Sequence, residues 1–189
     1  MMCMRLLSAC SEVDVHPDPG KGIVTPADFP VCWAYSCEQR VNTGLTAREW
    51  SRIRTLMQPG AKSPEQERKQ IAEVIGLMER IVGPKTGTEH DRAGTVQGLP
   101  IRLQGQMDCV DEATNTSTYL GLLARDHLLI WHHLKSPAHR ILPYGWPHTT
   151  AVIEENKTGK LFAVDSWFRE NGKPAYVVPL HDWYLGWKP

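Results

Sequence analysis

Three residues with the chemistry of a cysteine nucleophile site follow one another along this chain: Cys109, His148 and Asp165. The cysteine lies where a helix is predicted to begin, and the histidine and the aspartate each lie in a predicted β-strand. A thiol nucleophile needs a base that accepts its proton and a third group that orients the base. The sequence therefore predicts cysteine-dependent acyl transfer or hydrolysis.

The helix that carries the nucleophile is predicted over Cys109–Arg125, with Asp108 as its N-cap. Its apolar stripe predicts that the thiol lies at the N-terminal end of the face that packs inward. The helix dipole favours a thiolate in the first turn, whereas the charges of Asp108 and Asp111 oppose it. A nearby imidazolium of His148 is therefore required for the thiolate to prevail. The stripe consists of Cys109, Ala113, Thr116, Leu120 and either Leu123 or Ala124.

Two strands that carry His148 and Asp165 are predicted to form a hairpin around residues 156–159. With a four-residue loop and Gly159 in the left-handed region, Thr150 pairs with Asp165. His148 is then a diagonal neighbour of Asp165 on the same face. A one-residue bulge would place the two on opposite faces, so the triad depends on this register.

The backbone N–H of Cys109, with the side chain of Gln104 or Gln106, is the predicted oxyanion site. No metal or other cofactor is expected, since the five cysteines show no metal-ligand spacing and the remaining histidines lack matching ligands. We interpret those histidines as surface or interface residues. A disulfide between Cys32 and Cys37 would need a turn between them, and the sequence leaves that bond open. The histidines are His127, His132, His133, His139 and His181.

The segment Asp108-Cys109-Val110-Asp111 and the His148–Asp165 hairpin resemble the transglutaminase-like superfamily of papain-like folds. They are most similar to the bacterial transglutaminase-like cysteine proteinases, whose motif reads Asp-Cys-Glu-Asp. The resemblance covers about Gln104–Phe168 and implies Cys109 as nucleophile, His148 as base and Asp165 as orienting residue. Where this chain has Val110, the family has a glutamate that helps calcium-dependent members bind the ion, so calcium dependence stays open.

Two helices are predicted before the catalytic region, each beginning at a capping box, at residues 46–49 and 63–66. The second helix is expected to stop at Gly83-Pro84. Further strands are predicted over Leu128–Leu134 and Tyr176–Leu180. The predicted fold is therefore α+β, papain-like and transglutaminase-like, with the cysteine helix packed on an antiparallel sheet and with additional N-terminal helices.

Composition predicts one folded domain with an ordinary core, over residues 31–189. The chain has 189 residues, 41% of them hydrophobic, and 21 basic residues balance 21 acidic ones. With its positive and negative charges balanced, the protein has no net electrostatic field that would attract nucleic acid. No stretch is long and apolar enough to cross a membrane. A peptide or protein substrate is the expected partner, and the sequence does not indicate an oligomeric state.

The first thirty residues are predicted to be a signal-like and tether segment. Leu6-Leu7-Ser8-Ala9-Cys10 resembles the end of a bacterial lipoprotein signal, which implies lipidation at Cys10 and a periplasmic, outer-membrane-anchored protein. The apolar stretch is shorter than the roughly 7 to 15 residues of a secretion signal. The alternative is an ordinary frayed N-terminus.

Two alternatives to an enzyme remain open. The first is a non-catalytic envelope binding or assembly module that retains the fold. The second, weaker hypothesis is a redox protein that uses Cys32 and Cys37, although no βαβ pattern surrounds them. Alkylation discriminates these classes, because an activated Cys109 thiol reacts faster than a buried structural one.

Overall fold

The protein has an α+β fold built on a four-stranded antiparallel sheet of strand order β3-β4-β5-β6, beside a two-stranded hairpin of β1 and β2. The computed structural model describes residues 24–96, 105–141 and 147–189. The elements are β1 Phe29–Trp33, β2 Gln39–Thr43, α1 Ala47–Met57, α2 Pro64–Thr86, α3 Cys109–Arg125, β3 His132–Arg140, β4 His148–Glu155, β5 Leu161–Asp165, β6 Tyr176–Pro179 and α4 Leu180–Tyr184.

Three of the sequence predictions lie outside the described residues: lipidation at Cys10, the oxyanion role of Gln104, and the signal-like segment up to residue 23. The folded region begins earlier than residue 31, since β1 starts at Phe29 and that side chain is 1% exposed. The hairpin of β1 and β2 is therefore part of the core, not of a tether.

The predicted capping box is complete at the N-terminal end of α1 and only half formed at that of α2. Thr46 Oγ1 accepts the N–H of Glu49 at 3.2 Å, and Glu49 Oε2 accepts the N–H of Thr46 at 2.8 Å, which completes a capping box. At α2, Ser63 Oγ accepts the N–H of Gln66 at 3.2 Å, whereas Gln66 Oε1 accepts the N–H of Lys62. At α2 only one of the two bonds of a capping box is therefore formed, the one accepted by the Ser63 side chain.

The C-terminal end of α2 lies beyond the predicted stop at Gly83-Pro84. The helix continues through Pro84 and ends at Thr86, with Gly87 as a left-handed cap at φ 78°. The N–H of Gly87 donates to the carbonyl of Gly83 at 2.8 Å. Pro84 is tolerated because it removes only one hydrogen bond near the helix end, and the residue that stops the helix is the glycine that can adopt positive φ.

The strand predicted over Leu128–Leu134 is displaced toward the C-terminus. Leu128 follows α3 in a turn and is buried, and β3 runs from His132 to Arg140. It passes through Pro137 with a register shift between Lys135 and Ala138. Proline is accommodated because β3 is an edge strand and the irregularity removes the need for its missing N–H.

The sheet has two buried faces because side chains alternate along each strand. Ala151 and Val164, which pair across β4 and β5, face the main core formed with the helices. Val152 and Ala163 face a smaller cluster on the reverse side, which also contains Leu180 and Trp183. The even positions of β4 and the odd positions of β5 therefore lie under the C-terminal segment.

Within the described ranges, none of the helices has the length and apolarity needed to cross a membrane.

Candidate active site

The N-terminal end of α3 is fixed by the side chain of Asp108. Its Oδ1 accepts the N–H groups of Val110 and Asp111, each at 3.0 Å, and Asp111 Oδ2 accepts the N–H of Asp108 at 3.1 Å. This reciprocal cap starts the helix at Cys109, as the sequence predicts. The thiol is consequently held in the first turn by a carboxylate whose charge lies next to it.

His148 and Asp165 form a buried hydrogen-bonded pair. His148 Nε2 lies 2.7 Å from Asp165 Oδ2, and the two residues are 4% and 1% exposed. The register that brings them together is the predicted one, since Gly159 has φ 68° and Ala151 pairs with Val164. The pairing continues without a bulge, so both side chains lie on the reverse face of the sheet.

Asp165 Oδ2 receives a second hydrogen bond from the indole N–H of Trp183, at 2.8 Å. The buried guanidinium of Arg140 lies 4.4 Å above the Trp183 ring and donates to the carbonyl groups of Trp183 and Trp187. Arg140 also pairs with His148 across β3 and β4. One arginine thus holds the C-terminal segment over the histidine and the aspartate.

Cys109 is half-buried beside the start of β4. Its Sγ lies 3.9 Å from the carbonyl oxygen of Pro147, the residue before His148. His148 Nδ1 is buried and has no hydrogen-bond partner among the described residues. The Cys109 thiol therefore lies against the backbone next to His148, and no hydrogen bond joins it to the imidazole in this conformation.

The thiol of Cys109 is not activated in this resting geometry. Burial raises its pKa, and the negative charges of Asp108 and Asp165 raise it further, while the N–H groups of Thr149 and Cys109 itself lower it. The positive end of the helix dipole does not reverse this balance. The thiol is therefore protonated at neutral pH unless His148 accepts its proton.

A turn between β1 and β2 contacts the two carboxylates that flank Cys109. The N–H groups of Tyr35 and Cys37 donate to Asp111 at 2.8 and 2.6 Å, and the N–H of Ser36 donates to Asp108 at 2.9 Å. A disulfide between Cys32 and Cys37 closes this turn. Sequence reasoning left the bond open, and the five-residue spacing of the cysteines is the only signal that could have indicated the turn.

The predicted oxyanion residue Gln106 is hydrogen-bonded elsewhere in the described structure. Its Nε2 donates to the carbonyl of His90 at 2.9 Å, and its Oε1 accepts the N–H of Arg92 at 3.2 Å. The side chain is 3% exposed. Gln106 thus connects the loop of residues 88–96 to the segment that precedes Cys109.

Two carboxyl groups, Asp91 and Glu112, lie close together near the start of α3. Asp91 Oδ1 accepts the N–H of Met107 at 2.6 Å, and Glu112 Oε2 accepts the hydroxyl of Ser166 at 2.6 Å. Burial and the neighbouring carboxylate raise the pKa of Asp91 to about 9, and burial raises the pKa of Glu112 to about 7. Asp91 therefore carries a proton at neutral pH.

Aromatic rings surround the His148 imidazole. Ring centroids of Trp167, Phe168 and Trp183 lie 4.7, 5.1 and 5.4 Å from it. Trp183 is fully buried, as expected for a residue that closes the core, whereas Tyr184 is 46% exposed. The rings exclude water from the bond between His148 and Asp165, which strengthens that bond.

The interpretation of His132 as a surface or interface residue is wrong. The side chain is buried, its Nδ1 donates to Glu67 at 2.8 Å, and Arg68 lies 3.3 Å from its Nε2. Glu67 also accepts the N–H groups of residues 130 and 131, so it joins α2 to the start of β3. A histidine at a buried position of an amphipathic strand is accommodated because its partners are buried with it.

Over the ranges that the structure covers, no group of three or more histidine, cysteine, aspartate or glutamate residues is arranged to hold a metal ion. Comparison of the chain with family models, with curated proteins and with solved structures gave no match. The resemblance to the transglutaminase-like superfamily stays a prediction from the sequence.

Proposed function

We propose that this protein is a cysteine-dependent peptidase or amidase, with Cys109 as nucleophile, His148 as general base and Asp165 as the residue that orients the imidazole. The same proposal assigns it a papain-like, transglutaminase-like fold. The observation that carries it is the His148–Asp165 pair, bonded through Nε2, whose second ring nitrogen has no partner among the described residues. The Cys109 thiol at the start of α3 lies 3.9 Å from the carbonyl oxygen of Pro147, the residue before His148. A buried ring nitrogen without a partner costs stability, and a catalytic role is one explanation for its presence in a native structure.

In the proposed reaction, His148 Nδ1 removes the proton from Cys109 Sγ after rotation of the thiol toward it. The thiolate attacks the carbonyl carbon of an amide, and the negative charge moves onto the carbonyl oxygen. The backbone N–H of Cys109 is the nearest donor for that oxyanion in the proposal. His148 then gives its proton to the leaving amine, and the acyl group remains on Cys109 as a thioester.

Asp165 keeps the imidazole in the tautomer that presents Nδ1 to the thiol. Because its Oδ2 accepts the Nε2–H of His148 at 2.7 Å, the unprotonated nitrogen of the neutral ring is Nδ1. The charge of Asp165 also stabilises the imidazolium that forms when the proton is transferred. Water or an amine then releases the acyl group, which gives hydrolysis or transfer.

The test uses p-nitrophenyl acetate, an acyl donor that needs no knowledge of the natural substrate. We expect a burst of about one p-nitrophenolate per chain and an acetyl group on the Cys109 peptide, detected by mass spectrometry after acid quenching. Deacylation in water, compared with deacylation in glycinamide, separates hydrolysis from transfer. Cys109→Ala should abolish the burst, and Asp165→Asn should slow it less than Cys109→Ala does.

The matched control is His139→Ala. His139 lies on β3, is exposed, and its Nδ1 lies 2.8 Å from Thr149 Oγ1, so it is a second histidine beside the start of β4, without an acid partner in the described structure. His148→Ala should suppress acetylation, whereas His139→Ala should retain it. Equal acetylation in the two variants, or none in the native protein, would favour the non-catalytic module instead.

A further inference from the structure

The turn that joins β1 to β2 has an unusual backbone. Ala34, Tyr35, Ser36 and Cys37 have φ values of 70°, 68°, 52° and 57°, and none of them is glycine. Each non-glycine residue in the left-handed region costs about 1 kcal/mol or more, so the surrounding structure must hold the turn in this form. Successive N–H groups of such a turn converge on one side and form a concave anion-binding surface.

Two sets of contacts hold the turn. On the strand side, the Asn115 side chain accepts the N–H of Cys32 at 2.8 Å and donates to its carbonyl at 2.9 Å. The Cys32–Cys37 disulfide closes the loop with 4.7 Å between the Cα atoms. On the concave side, the N–H groups of the turn hold the carboxylates of Asp108 and Asp111.

The anions that occupy the turn are the two residues that flank Cys109. The charge of Asp108 disfavours the Cys109 thiolate. The hydrogen bond from the N–H of Ser36 offsets part of that charge and fixes the position of the carboxylate. Asp111 receives two N–H groups from the turn in addition to that of Asp108. The turn therefore controls both the start of α3 and the electrostatic surroundings of the thiol.

We propose that the disulfide-closed turn of residues 32–37 is a redox-sensitive positioning element for Cys109. With the disulfide formed, its N–H groups hold Asp108 and Asp111, and the thiol reacts; with the disulfide reduced, the turn opens, the carboxylates lose these donors, and Cys109 reacts more slowly. This inference rests on the proposed function of Cys109 as nucleophile.

The redox step is a two-electron reduction by a dithiol. The bond between the two sulfurs breaks, each sulfur takes one proton and one electron to become a thiol, and the dithiol becomes a cyclic disulfide. The left-handed region is unfavourable for non-glycine residues. Once the disulfide no longer closes the turn, its four residues with positive φ therefore leave that region. Cys109 itself neither gains nor loses electrons.

The test measures the pH dependence of Cys109 alkylation by iodoacetamide, read from the Cys109 peptide by mass spectrometry. Full-length protein is compared with its disulfide intact and after reduction by dithiothreitol and anaerobic desalting. We expect the reduced protein to react about threefold to tenfold more slowly at pH 7.5, with its profile moved to higher pH by about 0.5 to 1 unit. An unchanged profile, or one moved to lower pH, would overturn the proposal.

Several titratable groups lie around this end of α3 and contribute to the profile. Asp108, Asp111 and Glu112 come from the N-terminal end of the helix, Tyr35 from the turn, Asp91 from the preceding loop, and His148 and Asp165 from the sheet. Only the first two bond the turn through its backbone N–H groups.

Asp108→Asn serves as the matched variant, because asparagine keeps the N-cap and removes the charge. In this variant reduction should change the Cys109 profile less than in the native protein. If reduction unfolds the chain, as seen by loss of far-ultraviolet circular dichroism, the comparison is made with the disulfide intact. There Asp108→Asn should move the profile to lower pH, and no movement would overturn the proposal.

Failure of this inference and failure of the proposed function give different results. If Cys109 is not a nucleophile, p-nitrophenyl acetate gives no burst in either redox state. If only the role of the turn is wrong, the burst is present and is the same before and after reduction.

Discussion

The indole N–H of Trp183 donates to Asp165 Oδ2 at 2.8 Å, on the same oxygen that accepts His148 Nε2. Trp183 lies in α4, four residues after the end of β6. The C-terminal segment therefore completes the surroundings of the proposed triad. The carboxylate is held by two donors on one oxygen, which fixes its orientation toward the imidazole.

Trp183→Phe tests this relationship. The substitution keeps an aromatic ring under Arg140 but removes the N–H donor to a buried carboxylate, which should cost about 1.5 to 3 kcal/mol of unfolding free energy. Urea unfolding followed by circular dichroism measures it. We also expect slower acetylation of Cys109, since Asp165 loses one of its two constraints.

Tyr184→Phe is the control for that variant. Tyr184 is the next residue, it is 46% exposed, and its change should shift stability by less than about 0.5 kcal/mol. If the two variants lose the same unfolding free energy, the hydrogen bond between Trp183 and Asp165 does not stabilise the folded protein by the expected amount.

The carboxyl pair of Asp91 and Glu112 should make stability decrease as pH rises. Their pKa values in the folded protein, about 9 and about 7, exceed the roughly 3.9 and 4.3 of unfolded chains. The folded state therefore binds more protons, and its stability relative to the unfolded state is lost progressively as pH increases from about 5 to 9. Denaturant midpoints measured across this range check the sign.

Glu112→Gln removes one of the two charges and keeps the side-chain size. Its stability should vary less between pH 6 and pH 9 than that of the native protein, since Asp91 no longer titrates against a buried carboxylate. A variant whose pH dependence matches the native curve would show that other groups cause it.

His132→Ala should destabilise the protein by about 3 kcal/mol. It removes the buried partner of Glu67 and leaves a buried carboxylate with only backbone donors. His133→Ala, at the next position and with an exposed side chain, is the matched control and should change stability by less than about 0.5 kcal/mol. Urea unfolding measures the stability of both variants. An equal loss of unfolding free energy in the two would contradict the structural role of His132.

Local signals predicted the parts of the site that depend on neighbouring residues in sequence. The N-cap at Asp108 and the loop of residues 156–159 predicted the start of α3 and the hairpin register, because capping and turn chemistry act over a few residues. The end of α2 was placed too early, because proline near a helix C-terminus was taken for a stop.

The contacts that could not be predicted join residues far apart in sequence. Arg140 meets Trp183 across 43 residues, and the turn at Cys37 meets Asp111 across 74. Neither contact leaves a periodic or spacing signal in one sequence. His132 was misread because a single histidine gives no indication of the buried partners that a distant helix supplies.

The most direct measurement for the triad is the pH dependence of Cys109 alkylation by iodoacetamide in native protein, His148→Ala and His139→Ala. Because burial raises the pKa of the thiol, a base must accept its proton for reaction near neutral pH. We expect His148→Ala to slow alkylation at pH 7 by about tenfold or more and to remove the lower-pH part of the profile, while His139→Ala leaves the profile unchanged. Identical profiles for native protein and His148→Ala, with folding retained, would show that His148 is not the base for Cys109.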